Sequence, residues 1–312
     1  LREVVYVTEP SAINLREARR LIPAKYELVS GNTSFDGVIP ETCTTLLIRS
    51  ATVINPSVKD VFSNLKSIIR IGTGVDSIDM AFCDRENVHV YTAPGANADA
   101  VSDYIVCMML VALRKITTLT PHDVATWNRF KFTGRSMSNQ SIGIIGFGNI
   151  GRQVHDKLQG FACKGFFIYD PFMQEDRLPN NVTSMSSVGD VFAHSDIVTL
   201  HLPLTPQTRH LISRRELELL PEQAILLNAS RGGIVKEEDV VEAVRSRGLT
   251  YIADTVENEP EVAPALLQED NILITPHIAS LTKESESNML KLAIDNFLSQ
   301  APSNGRLPAL IR

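Results

Sequence analysis

An arginine, a glutamate and a histidine are the residues of this sequence best suited to chemistry. They are Arg231 in Asn228-Ala-Ser-Arg-Gly-Gly-Ile-Val235, Glu259 in Asp254-Thr-Val-Glu-Asn-Glu-Pro260, and His277 in Thr275-Pro-His-Ile-Ala-Ser280. Arginine carries a permanent charge in a planar fork that matches a carboxylate. Histidine titrates near neutrality, and a nearby carboxylate raises its pKa and fixes its tautomer. Taken singly, each residue has a structural reading: a solvated turn, a surface glutamate before proline, a strand-end histidine. Taken together they suit a reaction that holds an acid by its carboxylate and moves a proton at its hydroxyl.

A second stretch says what else such a reaction would use. The apolar run Ile142–Ile145 reads as a buried strand, ends in Gly146-Phe147-Gly148-Asn149-Ile150-Gly151, and leads into a helical pattern reaching about Gly160. In a dinucleotide fold the first glycine makes the tight turn. The second lets backbone approach a pyrophosphate, and the third lets helix and strand pack. The phosphates then lie on free N–H groups at the positive end of the helix. A following β run, Gly165–Asp170, ends in a carboxylate that can bond the adenosine ribose and would repel a 2′-phosphate. NAD is therefore expected over NADP, and hydride transfer at a 2-hydroxy acid accounts for the three chemical residues.

The elements that must position these residues alternate in type. Before the fingerprint, β runs fall at Glu3–Thr8, Tyr26–Val29, Thr45–Arg49, Ser63–Ile71 and Val88–Tyr91, with a helix at Ile13–Leu21. A long apolar helix over Asp99–Ile116 leads to the polar loop around Trp127-Asn-Arg-Phe130. After the fingerprint, strands are expected at Asp196–His201, Ala224–Asn228, Tyr251–Asp254 and Ile272–Thr275, and a last helix at Lys283–Leu298. The expected fold is α/β: a doubly wound parallel-sheet Rossmann domain plus a smaller flavodoxin-like domain. The last helix has no further strand to serve and is expected to return to the first domain. That gives 1–97 with 283–312 as the substrate-binding domain and 98–282 as the dinucleotide domain.

A net charge of −6 and a pI near 5.7 argue against a nucleic-acid surface. Cys43, Cys83, Cys107 and Cys163 lie far apart without metal-binding spacing, so they read as thiols in a reducing compartment and no metal is expected. No signal-peptide pattern is evident, and the apolar run Tyr104–Leu113 is too short to span a bilayer. A cytoplasmic protein acting on a small molecule is the expectation.

The run of Gly146-Phe-Gly-Asn-Ile-Gly151, His201-Leu-Pro203-Leu-Thr-Pro206, Ser230-Arg-Gly-Gly-Ile-Val235 and Pro276-His-Ile-Ala-Ser280 resembles the NAD-dependent D-2-hydroxyacid dehydrogenases over nearly the whole chain. The resemblance implies roles. His277 would be the acid/base, Glu259 its carboxylate partner and Arg231 the substrate clamp. Asp254 would hold the nicotinamide carboxamide and Asp170 the ribose, while His201, Pro203, Ala229 and Ser230 would line the cofactor site. The backbone of Gly72, Thr73, Gly74 and Val75 would cradle the substrate carboxylate. The long helix and the Trp127 loop look like the family's dimer contact, with a tetramer as the larger alternative.

Within the family, Arg49-Ser-Ala-Thr52 and Arg70-Ile-Gly-Thr-Gly-Val-Asp76 most resemble D-3-phosphoglycerate dehydrogenases, in a short form lacking the regulatory domain. Arg49, Arg70 and Arg129 are then candidates for a substrate phosphate, although Ala51 and Val53 stand where some members carry a further basic residue. Two other readings share the fold. NAD-sensing transcriptional corepressors can keep all three chemical residues. Formate dehydrogenases pair their histidine with glutamine, which Glu259 argues against.

Overall fold

The structure is a computed structural model that describes residues 2–36, 39–173 and 178–300. The chain divides into two compact units, 1–97 with 281–312 and 98–280. The division falls two residues ahead of the expected boundary, because Thr282 caps the last helix by accepting the Ser285 N–H and so goes with it. The expected tail at 301–312 lies outside the described residues.

In the first unit, β1 (Glu3–Val7), β2 (Tyr26–Ser30), β3 (Cys43–Ile48), β4 (Ser67–Arg70) and β5 (His89–Tyr91) form a parallel sheet in the order β2-β1-β3-β4-β5. Both faces are covered, so the strands read as continuous apolar runs rather than alternating ones. Val4 and Tyr6 face a layer with Phe62, Phe82 and Cys83, which flank or belong to the short helices α2 (Val58–Val61) and α3 (Met80–Arg85). Val5 and Val7 face the opposite way, with Ala18 of α1 (Leu15–Leu21) and with Met289, Leu290, Ala293, Ile294 and Phe297 of α10 (Lys283–Leu298). The strand expected from Ser63 begins only at Ser67. Phe62 and Leu65 are buried, and the Leu65 N–H closes a turn onto the Phe62 carbonyl before extension starts.

In the second unit, β6 (Ser141–Ile145), β7 (Gly165–Tyr169), β8 (Val182–Ser184), β9 (Ile197–Leu200), β10 (Ile225–Asn228), β11 (Thr250–Ala253) and β12 (Ile272–Ile274) are all parallel, in the order β12-β11-β10-β9-β6-β7-β8. The order reverses between β6 and β9, which opens a crevice at their C-terminal ends. One face packs Ile142, Ile144, Ile225 and Leu227 under α4 (Ala98–Leu113) and α6 (Asn149–Leu158). The other packs Ile145, Val198, Leu200 and Leu226 under α7 (Val188–His194), α8 (Arg214–Leu217) and α9 (Glu237–Arg247). The helix expected to Ile116 ends at Leu113, and Lys115 takes a left-handed φ of 54°. Between α4 and β6 lie the short α5 (Pro121–Ala125) and 3-10 turns, where Trp127 and Phe130 are each 78% exposed.

Candidate active site

The C-terminal ends of β9, β10, β11 and β12 carry His201, the 228–231 turn, Asp254 and His277 in turn. That edge of an open parallel sheet is where ligands bind. His277 Nδ1 lies 2.8 Å from Glu259 Oε2, and the other carboxylate oxygen of Glu259 accepts the Val256 N–H at 3.2 Å. The pair is therefore oriented as well as close. The imidazole is 47% exposed, so its far side stays accessible. His277 has φ of 54°, the left-handed region that a non-glycine residue occupies only when its surroundings insist.

Asp254 supplies that insistence. Its side chain accepts Thr275 Oγ1 at 2.6 Å and the N–H groups of Ile278 and Ala279 at 2.8 Å each, and its carbonyl accepts the His277 N–H at 2.9 Å. Asp254 is buried, and bonds to a buried charge are worth more than neutral ones. Thr275 in turn meets the Tyr104 hydroxyl at 2.6 Å. This chain from α4 through Tyr104, Thr275 and Asp254 to the histidine segment was not legible from the motifs, because Tyr104 lies far away in sequence.

Arg231 follows β10 in an extended backbone and donates from Nη1 to the Ser230 carbonyl at 2.6 Å. The turn is braced by Asn228, whose buried amide donates to the Arg231 carbonyl at 2.8 Å and accepts from the Ser230 N–H and hydroxyl. Asn228 is a second residue that the motif reading passed over. Gly232 has no room for a side chain: an added Cβ would lie 2.0 Å from the Val256 carbonyl carbon. The arginine turn and the Val256 loop therefore run against each other. Burial pushes the His201 imidazole down to about 3, leaving it neutral, with Nε2 3.2 Å from Thr199 Oγ1.

The fingerprint glycines separate cleanly. Gly146 has φ of 88°, and a Cβ on it would meet the His201 carbonyl oxygen at 2.5 Å. A Cβ on Gly151 would meet the Gly146 carbonyl oxygen at 2.3 Å, so helix and turn touch there. A Cβ on Gly148 would have nothing within 4 Å, which leaves the backbone at the start of α6 open to a ligand. Asp170 closes β7 and accepts the Phe147 N–H at 2.8 Å and the Phe172 N–H at 3.0 Å, which fixes its carboxylate beside the turn. These features fit a dinucleotide.

In the first unit, Arg49 and Arg70 end the paired strands β3 and β4. Arg49 donates from Nη1 to the Ala12 carbonyl at 2.8 Å and pairs through Nη2 with Glu286 at 2.6 Å. Arg70 bends back to donate to the Ile71 carbonyl and lies against Gly72, whose φ is 142°. Thr73 Oγ1 donates to the Ala93 carbonyl at 3.1 Å. Glu9 was also missed by the motif reading. Its buried carboxylate accepts the N–H groups of Arg49, Ala51 and Thr52 and the Thr52 hydroxyl, which shapes the whole 49–52 loop. Arg129 belongs to the second unit, is exposed, and stacks over the Phe130 ring at 4.9 Å.

Residues 106–279 match the family model described as D-isomer specific 2-hydroxyacid dehydrogenase, NAD binding domain. The chain belongs to the D-isomer specific 2-hydroxyacid dehydrogenases. It is 33% identical over 293 residues to a hydroxypyruvate reductase of Thermotoga maritima, covering 90% of this chain and 93% of that one. It is also 33% identical over 244 residues to a D-3-phosphoglycerate dehydrogenase of Methanocaldococcus jannaschii, covering 77% of this chain and 46% of that one. The chain thus spans about half the length of the phosphoglycerate dehydrogenases it matches. A solved NAD+-bound 3-phosphoglycerate dehydrogenase of Entamoeba histolytica shares the fold, with a TM-score of 0.80 at 23% identity and coverage of 100% and 99%. The cofactor of this dehydrogenase is NAD, in keeping with the NAD-binding domain that it matches. The relatives named are dehydrogenases and a reductase, which favours catalysis over the corepressor alternative. Among the described residues no helix is long and apolar enough to cross a membrane.

Proposed function

We propose that the enzyme interconverts a three-carbon D-2-hydroxy acid of the glycerate type and its 2-keto acid. The observation that carries the reading is the oriented His277–Glu259 pair in a unit that matches the family's NAD-binding domain. Bound NADH supplies the hydride. In reduction, His277 gives its proton to the keto oxygen as charge develops there, and Glu259 holds the imidazole in the tautomer that can do so. Arg231 holds the carboxylate and polarises the reacting carbonyl. In oxidation the same histidine takes the hydroxyl proton.

The first unit acts as the substrate-binding domain in this reading, with the backbone of Gly72, Thr73, Gly74 and Val75 receiving the carboxylate. Phe147, Gly148, Asn149, Ile150, Ala229 and Ser230 line the dinucleotide, with His201 and Pro203 beside it. Asp170 takes the ribose and Asp254 the carboxamide. The exposed Ile116, Leu119, Val124, Trp127 and Phe130 favour a homodimer through this segment and α4. A cytoplasmic setting agrees with four free cysteines.

Two substrates stand out. 3-Phosphoglycerate is favoured by the phosphoglycerate dehydrogenases among the relatives and by Arg49, Arg70 and Arg129. Glycerate and hydroxypyruvate are favoured by the reductase that matches this chain along nearly its whole length, and by the internal partners of Arg49. NADH oxidation with hydroxypyruvate, 3-phosphohydroxypyruvate, pyruvate and glyoxylate tests the reading. Activity on one or both of the first two is expected. Faster turnover of pyruvate than of either would overturn the assignment.

A further inference from the structure

Arg49 is held at three points, and each hold comes from a different part of the first unit. Its backbone N–H goes to Glu9 Oε1 at 2.9 Å, Nη1 to the Ala12 carbonyl at 2.8 Å, and Nη2 to Glu286 Oε1 at 2.6 Å. The arginine side chain is only 16% exposed, whereas that of Glu286 is 45% exposed on the first turns of α10. Both line a cavity of about 250 Å³, together with Glu17 and Lys283. The cavity wall therefore carries two cations and two carboxylates. Glu17 is also engaged, by the Ser287 hydroxyl and the Asn14 amide.

Arginine binds phosphate through the same η N–H groups and at the same distance as it binds carboxylate. The Glu286 oxygen thus occupies one of the η N–H positions that a phosphate oxygen on Arg49 would use. A phosphorylated substrate must displace Glu286 or accept a carboxylate beside its own double negative charge. A substrate ending in a hydroxyl meets neither obstacle. Glu286 can move away, because nearly half of its side chain faces solvent. The displacement sets a discrimination rather than an absolute block.

We infer that Glu286 is a specificity-determining residue: by occupying Arg49 it turns the enzyme toward unphosphorylated 2-hydroxy acids. The inference rests on the proposed placement of the substrate tail at Arg49. A merely structural tie between β3 and α10 would affect stability and leave substrate preference alone.

The test is Glu286→Gln in the full chain, which removes the charge and keeps the shape. The KM for 3-phosphohydroxypyruvate should fall about tenfold, the equivalent of one charge-assisted contact regained, while that for hydroxypyruvate stays within about twofold. An unchanged ratio of the two KM values, with or without a lower Tm, overturns the inference. A second measurement does not depend on turnover. Inorganic phosphate should raise the Tm of Glu286→Gln at concentrations that leave the wild-type Tm unmoved, and adding Arg49→Ala to the variant should abolish the effect. Equal phosphate responses in wild type and variant also overturn it. If neither keto acid is reduced by the wild type, the proposed function fails, and the phosphate titration still decides the role of Glu286.

Discussion

Replacing Gly148 with alanine should weaken NAD binding without harming the fold. The residue has a negative φ of −78° in an extended backbone, so no left-handed conformation excludes alanine, and the added methyl meets no protein atom within 4 Å. In the free protein the substitution therefore removes only unfolded-state freedom, a gain of about 0.4–1 kcal/mol. For a protein of this size that raises Tm by about 1–4 °C. In the complex the same methyl stands where a pyrophosphate must approach the α6 backbone. Losing one charge-assisted bond there costs about 1.5–3 kcal/mol, or roughly 10- to 150-fold in Kd for NADH. Gly151→Ala is the contrast, since its methyl would meet the Gly146 carbonyl oxygen at 2.3 Å. Overpacking of that kind costs about 1–3 kcal/mol in the free protein. NADH fluorescence titration and calorimetric melting of both variants separate the two effects. Wild-type NADH affinity in Gly148→Ala would refute the reasoning, as would a melting loss matching that of Gly151→Ala.

His277→Ala should lower kcat by roughly two to four orders of magnitude in the NADH oxidation assay, with NADH affinity unchanged; a loss below about fivefold would remove His277 from proton transfer. Asp254→Asn should lower Tm and kcat together, because the N–H groups of Ile278 and Ala279 lose a charged acceptor at about 1.5–3 kcal/mol per bond; a melting curve that overlays the wild type would count against this. Trp127→Glu should shift the proposed homodimer toward a monomer in light scattering, and a mass equal to that of the wild type would count against a dimer contact at this segment. Burial pushes the Cys43 and Cys83 thiols up to about 11 and 12. Both stay protonated when folded at a pH where the unfolded chain has already lost the protons. Their contribution to stability is complete below about pH 9 and declines as pH rises toward 11 and 12, so Cys83→Ser should flatten the fall of Tm over that window.

Much of this arrangement is legible in the sequence, for physical reasons that differ by element. The strands of both sheets are buried on two faces, so Val4–Val7 and Ile142–Ile145 stand out as short apolar runs bounded by polar residues or glycine. The chemical residues stand out because each sits at a strand end in a turn that glycine or proline shapes. Supporting contacts are much harder to read. Glu9 lies in a segment with no motif, and only the fold brings its carboxylate to the 49–52 loop. Arg49 reads as an anion binder from its local sequence, yet its counter-charge arrives on the last helix. The turn at Ser63–Lys66 looks extended by composition, and the burial of Phe62 and Leu65 overrides that preference.

The return of α10 to the first sheet has a consequence for how the protein is made. One face of that sheet, with Val5, Val7, Leu47 and Ile69, is completed by Met289, Leu290, Ala293, Ile294 and Phe297. The ribosome must translate the roughly 180 residues of the second unit between them, which takes about 10–40 s at ordinary elongation rates. During that time the nascent first unit carries an apolar surface whose cover does not yet exist, while the contiguous second unit has all of its own chain. The second unit should acquire protease resistance first on the ribosome, and the first should do so only once α10 has left the exit tunnel. Chaperone dependence of the newborn chain therefore belongs with residues 1–97, where the sheet that carries Arg49 and Arg70 waits for its last helix.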